Sequence, residues 1–171
     1  MFRAMTFAAA MSALALLMFA VQAAAQDARI DRVEVLEFGF YTSDKTGTST
    51  TAPGAAAGRT DTITNVRFLK APSKVAAGSG VGIGIRFESV GRSRGEETTI
   101  RSVWKIPAPG VTNPRSGNTY RQSVVEFKTR VGDVHMRGYT FDEEWEVVRG
   151  VWTLEIWQDD RMLAAHNFTV E

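Results

Sequence analysis

The sequence of 171 residues contains no cysteine. This absence excludes disulfide bonds, thiolate metal ligands, a cysteine nucleophile and a lipidated N-terminal cysteine. The formal net charge is only +1, so electrostatics alone give no reason to expect nucleic acid as a partner. Apolar residues at helical spacing are also missing after Gln26. The fold must therefore depend on a core of extended segments.

The first 25 residues have the pattern of a secretory signal peptide. Arg3 is their one charged residue, an apolar run follows over residues 7–21, and Ala23-Ala24-Ala25 fit the small-x-small rule of signal peptidase. A retained anchor is the alternative, but the alanine-rich run is short for a hydrocarbon core of ~30 Å. We expect cleavage before Gln26, a periplasmic or secreted protein, and no stable membrane anchor afterwards. Without the leader, 19 basic and 19 acidic residues remain.

The rest of the chain shows strand alternation. Apolar residues alternate with glycine or polar residues in three segments, around Ile83, Trp104 and Leu154. Residues 158–161 predict a hairpin turn and residues 162–170 the closing strand. Weaker strands are predicted over residues 30–41, 62–69 and 120–131, with a further short strand over residues 134–139. In the first of these weaker strands the apolar parity changes between Val35 and Leu36, which predicts a β-bulge or a strand that passes between two sheets.

These patterns predict an all-β, immunoglobulin-like sandwich of about seven or eight antiparallel strands in one domain over residues 26–171. Trp104 and Trp152 fall on the apolar parity of their strands, so we expect them to anchor the core. Residues 42–61 are rich in Thr, Ala and Gly and lack large apolar side chains, which predicts a long flexible loop.

Two glycine motifs resemble catalytic or cofactor signatures. Residues 91–95 match G-x-S-x-G around Ser93, but a nucleophile elbow needs a following helix and a strand is predicted there. We favour a hairpin turn with a polar tip. Gly82 and Gly84 do not fit a dinucleotide fingerprint. We expect them to form a shallow trough in a strand that a neighbouring aromatic side chain covers, so no cofactor is predicted.

Acidic and histidine residues give weak metal signals. An acidic cluster runs from Asp142 to Glu146, with Asp159 and Asp160 in a later turn. Calcium could use such oxygens, but the cluster lacks the interspersed Asn and Gly of a Ca²⁺ loop, so a solvated turn is favoured. His135 and His166 stand alone and predict strand residues, not zinc ligands.

Trp157 has the opposite parity to Trp152 and Leu154. It could stack on a sugar ring or a partner surface, or pack over the glycine trough or inward at a strand end, and packing is favoured.

The C-terminal third carries Gly138-Tyr139-Thr140-Phe141-Asp142, Trp145-Glu146, Gly150-Val151-Trp152-Thr153-Leu154, Ile156-Trp157, Leu163 and Phe168-Thr169-Val170. With the turns at 91–95 and 107–114, this pattern resembles a bacterial family of small exported proteins known only as a domain of unknown function, over residues 30–170. The resemblance implies a β-sandwich and export, and it implies no activity or catalytic residues.

We expect a non-enzymatic binding or accessory module with an unidentified protein or glycan partner in the cell envelope. Candidate contact residues are Trp157 and the loops around Asn113 and Asp142. A carbohydrate- or calcium-binding module is the alternative, and a small hydrolase using Ser93 is the least favoured.

Overall fold

A computed structural model describes residues 28–69 and 80–171, and the structural statements below concern these residues. The predicted signal peptide lies outside them. Strands dominate, and helix is limited in these ranges to one 3₁₀ turn at Glu144–Glu146. The strands are β1 (Arg32–Thr51), β2 (Arg59–Phe68), β3 (Val81–Val90), β4 (Glu97–Lys105), β5 (Val111–Thr112), β6 (Thr119–Tyr120), β7 (Gln122–Arg130), β8 (Val134–Thr140), β9 (Gly150–Gln158) and β10 (Arg161–Val170). No helix in the described ranges is long and apolar enough to cross a bilayer.

The long strands form two antiparallel four-stranded sheets. The first has the order β2-β1-β3-β8 and the second the order β10-β9-β4-β7, while β5 and β6 make a small separate pair. An immunoglobulin sandwich sets strands A, B and E side by side in one sheet and strands G, F, C and C′ in the other. Here β1, β3 and β8 take the first three places and β10, β9, β4 and β7 the other four, with β2 added beside β1. The predicted all-β, immunoglobulin-like sandwich is therefore confirmed.

Both predicted core tryptophans lie between the sheets. Trp152 is fully buried and Trp104 is 4% exposed, and their rings meet edge to face with centroids 6.3 Å apart. The Trp152 indole N–H donates to the Val148 carbonyl at 2.7 Å, so its polar atom is satisfied in the core. Alternate residues of β3 and β9 complete the interior, as their parity predicted: Ile83, Ile85, Phe87, Leu154 and Ile156.

The predicted parity change in β1 is a β-bulge. Val35 pairs with Phe87 of β3, whereas Glu37 pairs with Arg86, so Leu36 is the extra residue. The bulge restores inward parity, and Phe40 packs against the core after it.

The predicted long loop at residues 42–61 is wrong as an element. β1 continues to Thr51 and β2 begins at Arg59, so most of the segment is a paired hairpin. We call residues 43–64 the arm, because they extend beyond Thr42, the last residue of β1 that pairs with β3. Backbone hydrogen bonds between two mostly polar strands hold the arm together. These bonds do not require alternating apolar side chains, so the sequence of the arm shows no strand pattern.

Residues 91–95 do not form the predicted hairpin. β3 pairs with β1 and β8, whereas β4 pairs with β7 and β9, so the turn connects the two sheets. Of the trough predicted at Gly82 and Gly84, Tyr41 of β1 covers Gly82, whereas Gly84 lies against Gly138 and Met136 of β8. A Cβ atom on Gly82 would lie only 2.6 Å from Cζ of Tyr41. Trp157 belongs to β9 of the other sheet, which excludes its alternative placement over the trough.

Candidate functional site

A cleft of about 480 Å³ opens along the flank of the sandwich where β7 and β8 are the outermost strands of their sheets. The arm crosses this flank and forms the third side of the cleft. Clefts of this size suit small molecules, and they concentrate at such junctions between structural layers.

Three backbone or side-chain hydrogen bonds hold the tip of the arm on β7 and on the nearby loop. The Val124 N–H donates to the Gly54 carbonyl at 2.8 Å, and the Ala56 N–H donates to Oγ of Ser123 at 3.2 Å. Asn113 donates from Nδ2 to the Ala56 carbonyl at 3.1 Å. Ala56 is fully buried, so the tip of the arm packs closely against the sandwich.

A charged cluster fixes the arm to the end of β8. Nζ of Lys45 lies 2.7 Å from Asp61 of the arm and 2.6 Å from Asp142 after β8. Burial alone would lower the pKa of Lys45, but its hydrogen bonds to Asp142 and Asp61 raise it. Burial alone would raise the pKa of Asp61, but hydrogen bonds from Lys45 and Ser49 lower it. Lys45 and Asp61 are therefore charged at neutral pH, and Nζ of Lys45 forms ion pairs with Asp61 and Asp142 together.

Aromatic and apolar side chains line the inner part of the cleft: Tyr41, Trp104, Val125, Phe127 and Tyr139. Burial raises the pKa of Tyr41 to about 12, and its hydroxyl is 2.8 Å from Oγ1 of Thr140. Burial and the neighbouring Glu146 also raise the pKa of Tyr139. Both phenols are therefore protonated at neutral pH and act as hydrogen-bonding groups, not as nucleophiles.

Arg137 of β8 supplies a cation to the cleft wall. Its Cζ lies 3.4 Å from the centroid of the Phe127 ring on β7, and burial lowers its pKa to about 10. Nε of Arg137 is buried without a hydrogen-bond partner. The sequence interpretation missed this residue.

In the acidic turn from Asp142 to Glu146, the Glu146 carboxylate binds backbone N–H groups of the turn itself. Oε2 of Glu146 accepts the backbone N–H groups of Asp142 at 2.9 Å and Glu143 at 3.0 Å. Burial raises the pKa of Glu146, partly offset by these two bonds. Within residues 28–69 and 80–171 no three His, Asp or Glu side chains are close enough to hold a metal ion.

The residues predicted for a partner surface do not lie together. Asp142 lines the cleft, and Asn113 is only 7% exposed beneath the arm tip, so its side chain presents little surface to a partner. Trp157 lies half-buried on the outer side of the second sheet. There its Nε1–H donates to Glu155 at 2.9 Å and Arg101 lies 5.5 Å over its ring.

Ser93 lies in the turn between β3 and β4, where the next element is a strand. A nucleophile elbow places its serine before a helix, whose amides support the reaction, and this turn lacks that context.

Comparisons with known proteins concern the whole sandwich. No curated protein matches the sequence. A solved structure described as an immunoglobulin-like protein from Pseudomonas aeruginosa is similar over 83% of this chain and 98% of its own, with 18% identity and a TM-score of 0.47. A family model described as a domain of unknown function, DUF3859, matches residues 30–170, from the start of the described core to the end of β10. The chain therefore belongs to the DUF3859 family.

Proposed function

We propose that this chain is an exported, non-enzymatic binding module whose ligand is a small molecule held in the cleft between β7, β8 and the arm. One observation carries the proposal: the cleft of about 480 Å³ combines aromatic side chains with Arg137, whose Nε is buried without a hydrogen-bond partner. The rest of the lining is largely polar, and placed polar groups of this kind fix the orientation of a small-molecule ligand.

Binding is favoured over catalysis because three of the four carboxylates that line the cleft, Asp61, Asp142 and Glu146, are committed to structural contacts. Lys45 and its two carboxylates neutralise one another, and Glu146 is used by backbone N–H groups. General acid–base catalysis needs a group that is free to exchange a proton near its working pH. The protonated phenols of Tyr41 and Tyr139 do not supply one.

Export is the part of the proposal that depends on the sequence of the leader. The charged start, apolar centre and small-residue exit of residues 1–25 support signal-peptide cleavage before Gln26. The absence of cysteine is compatible with an oxidising compartment, because the core needs no disulfide bond and no free thiol is exposed to oxidation.

The cleft can be tested by nuclear magnetic resonance on the chain that begins at Gln26. Benzoate, benzamide, propionate and N-acetylglucosamine at millimolar concentration serve as probes of different charge and polarity. We expect at least one probe to shift the amide signals of Ser102, Gly138 and Thr140. Val125→Trp should abolish these shifts because the indole fills the cleft.

Val151→Trp is the matched control, since Val151 is 54% exposed on β9 and does not line the cleft. Its probe-induced shifts should equal those of the unmodified chain. The proposal is wrong if none of the four probes perturbs the cleft amides, or if the shifts persist in Val125→Trp.

A further inference from the structure

Arg137 projects into the space between the two sheets. It pairs with Ile85 of β3, which is 1% exposed in the core, so the same side of β8 faces inward at Arg137. Its guanidinium stacks on Phe127 across the cleft, with Cζ 3.4 Å from the ring centroid. A planar group held on an aromatic face keeps the direction of its N–H donors.

The guanidinium has no carboxylate partner among the described residues. The ion pairs formed in these ranges do not include Arg137, and its Nε is buried without an acceptor. Of the four carboxylates that line the cleft, Asp61 and Asp142 bind Lys45, Glu146 accepts backbone N–H groups, and Glu126 forms no ion pair with Arg137 in the described ranges. The pKa of Arg137, lowered by burial to about 10, still leaves it cationic at neutral pH.

A buried charged donor without an acceptor destabilises the free protein, and a ligand that supplies the acceptor removes that penalty. A carboxylate offers two oxygens in one plane, which match the parallel N–H bonds of a guanidinium. We infer that the ligand of the cleft is a small organic acid whose carboxylate binds Arg137. This inference rests on the proposed binding function and names its ligand class.

The other walls indicate the rest of such a ligand. Trp104, Val125 and Phe127 line the same cleft as Arg137 and offer aromatic and branched apolar surface. A carboxylate joined to an aromatic or branched apolar group would satisfy the arginine and cover these side chains together.

The test compares benzoate with benzamide, its neutral analogue of nearly equal shape, by calorimetric titration of the chain that begins at Gln26. We expect benzoate to bind at least about tenfold more tightly, since hydrogen bonds to charged groups contribute more than neutral ones. Arg137→Gln should remove this preference by lowering benzoate affinity more than benzamide affinity. Arg101→Gln is the control, because Arg101 also lies over an aromatic ring, Trp157, but does not line the cleft.

A second variant gives a measurement that needs no ligand. Arg137→Met removes the buried charge, so the melting temperature of the free protein should not fall, while benzoate should no longer raise it. Comparing N-acetylphenylalanine with 3-phenylpropionate, which has the carboxylate but no acylamino group, then distinguishes a peptide C-terminus from a free acid as the source of the carboxylate.

The possible results separate this inference from the proposed function. Equal binding of benzoate and benzamide with cleft amides perturbed by both would overturn the carboxylate assignment and leave the binding cleft in place. Unchanged benzoate affinity in Arg137→Gln would do the same. If neither compound perturbs the cleft amides, the carboxylate assignment is wrong; if propionate and N-acetylglucosamine also leave them unchanged, the binding cleft is wrong as well.

Discussion

Tyr41 covers two glycines on neighbouring strands. Its ring is 1% exposed and lies against Gly82 of β3 and Gly138 of β8. A side chain on either glycine would occupy the space of the ring, so the fold requires a hydrogen atom at these positions. The same ring lines the cleft, which couples packing at the trough to the shape of the site.

Gly138→Ala should therefore destabilise the protein by about 1–3 kcal/mol, as overpacking of a core does. The new Cβ would lie 2.6 Å from Cε1 of Tyr41, and its close contacts are all with that side chain. In the Tyr41→Leu background the same substitution should cost less than about 1 kcal/mol, because the obstructing ring is gone. Urea unfolding of the four chains gives the coupling energy.

Gly84→Ala provides the control for this cycle. Its Cβ would meet the Arg137 carbonyl oxygen at 2.5 Å and Cα of Gly138 at 2.8 Å, which Tyr41→Leu does not move. The substitution should stay destabilising in both backgrounds. Equal rescue of Gly84→Ala and Gly138→Ala would contradict the role given to the Tyr41 ring.

The sequence predicts both core tryptophans, the glycine trough and Asp142 as a candidate contact residue, but it does not predict Arg137 or the arm as parts of the cleft. In β8, His135, Arg137 and Tyr139 share one parity, while Val134, Met136 and Gly138 share the other, and both sets contain apolar side chains. Parity alone therefore could not decide which side of β8 faces inward. The available signal for Arg137 was that a charged residue lies on the same side of β8 as Tyr139. Only the pairing of Arg137 with the buried Ile85 shows that this side faces inward.

At the scale of elements, the arm determines whether the flank of the sandwich is open or closed. The arm was not predicted because its strands bury few large side chains. A segment with few apolar residues and no helical pattern is typical of a loop. Threonine favours extended structure, and β1 ends in Thr46, Thr48, Thr50 and Thr51, which was the available signal. By contrast, the bulge at Leu36 was predicted because this part of β1 packs on the core, so its apolar side chains must face inward on both sides of the extra residue.

Gly54→Ala should detach the tip of the arm from β7. A Cβ on Gly54 would overlap the carbonyl oxygen of Val124, a backbone atom that cannot move aside without breaking the pairing of β7. We expect a loss of about 1–3 kcal/mol and faster hydrogen exchange at the Val124 and Ala56 amides, which donate across this contact.

Thr48→Ala is the control on the same arm, since Thr48 is exposed there. Its exchange rates at Val124 and Ala56 should equal those of the unmodified chain. Ser123→Ala, which removes the acceptor of the Ala56 N–H from the side of β7, should reproduce the faster exchange at Ala56 alone. Unchanged protection in Gly54→Ala would contradict the docking described for the tip.

At the scale of the whole molecule, the order of strands follows from strong alternation in β3, β4 and β9, which form the centre of both sheets. Their apolar faces must be buried against each other, and this fixes the sandwich. The edges are less constrained, and there the sequence prediction was weakest. The cleft lies between two edge strands, so the least predictable part of the fold is also the part with a candidate site.

Gln158 joins the start of the described chain to the far end of the second sheet. Its Nε2 donates to the Ala28 carbonyl at 2.8 Å and to Oγ1 of Thr98 at 2.9 Å, while its Oε1 accepts the Ile30 N–H at 3.0 Å. Gln158 is 4% exposed and Ile30 is fully buried. The predicted cleavage before Gln26 therefore leaves this connection intact, with Ala28 as the first residue it uses.

A chain that begins at Asp31 should be much less stable than one that begins at Gln26. It loses the burial of Ile30, about 1.5–3 kcal/mol, and leaves the buried amide of Gln158 short of partners, about 1–3 kcal/mol more. For a domain of this size each kcal/mol lowers the melting temperature by about 2–4 °C, so a fall of roughly 5–24 °C is expected by calorimetry. A chain that begins at Ala28 is the control and should melt with the chain from Gln26, because it keeps every contact of Gln158 described above. Equal melting temperatures of the chains from Gln26 and Asp31 would mean that these hydrogen bonds and the burial of Ile30 contribute little to stability. The residues before β1 would then not be needed to hold the two sheets together.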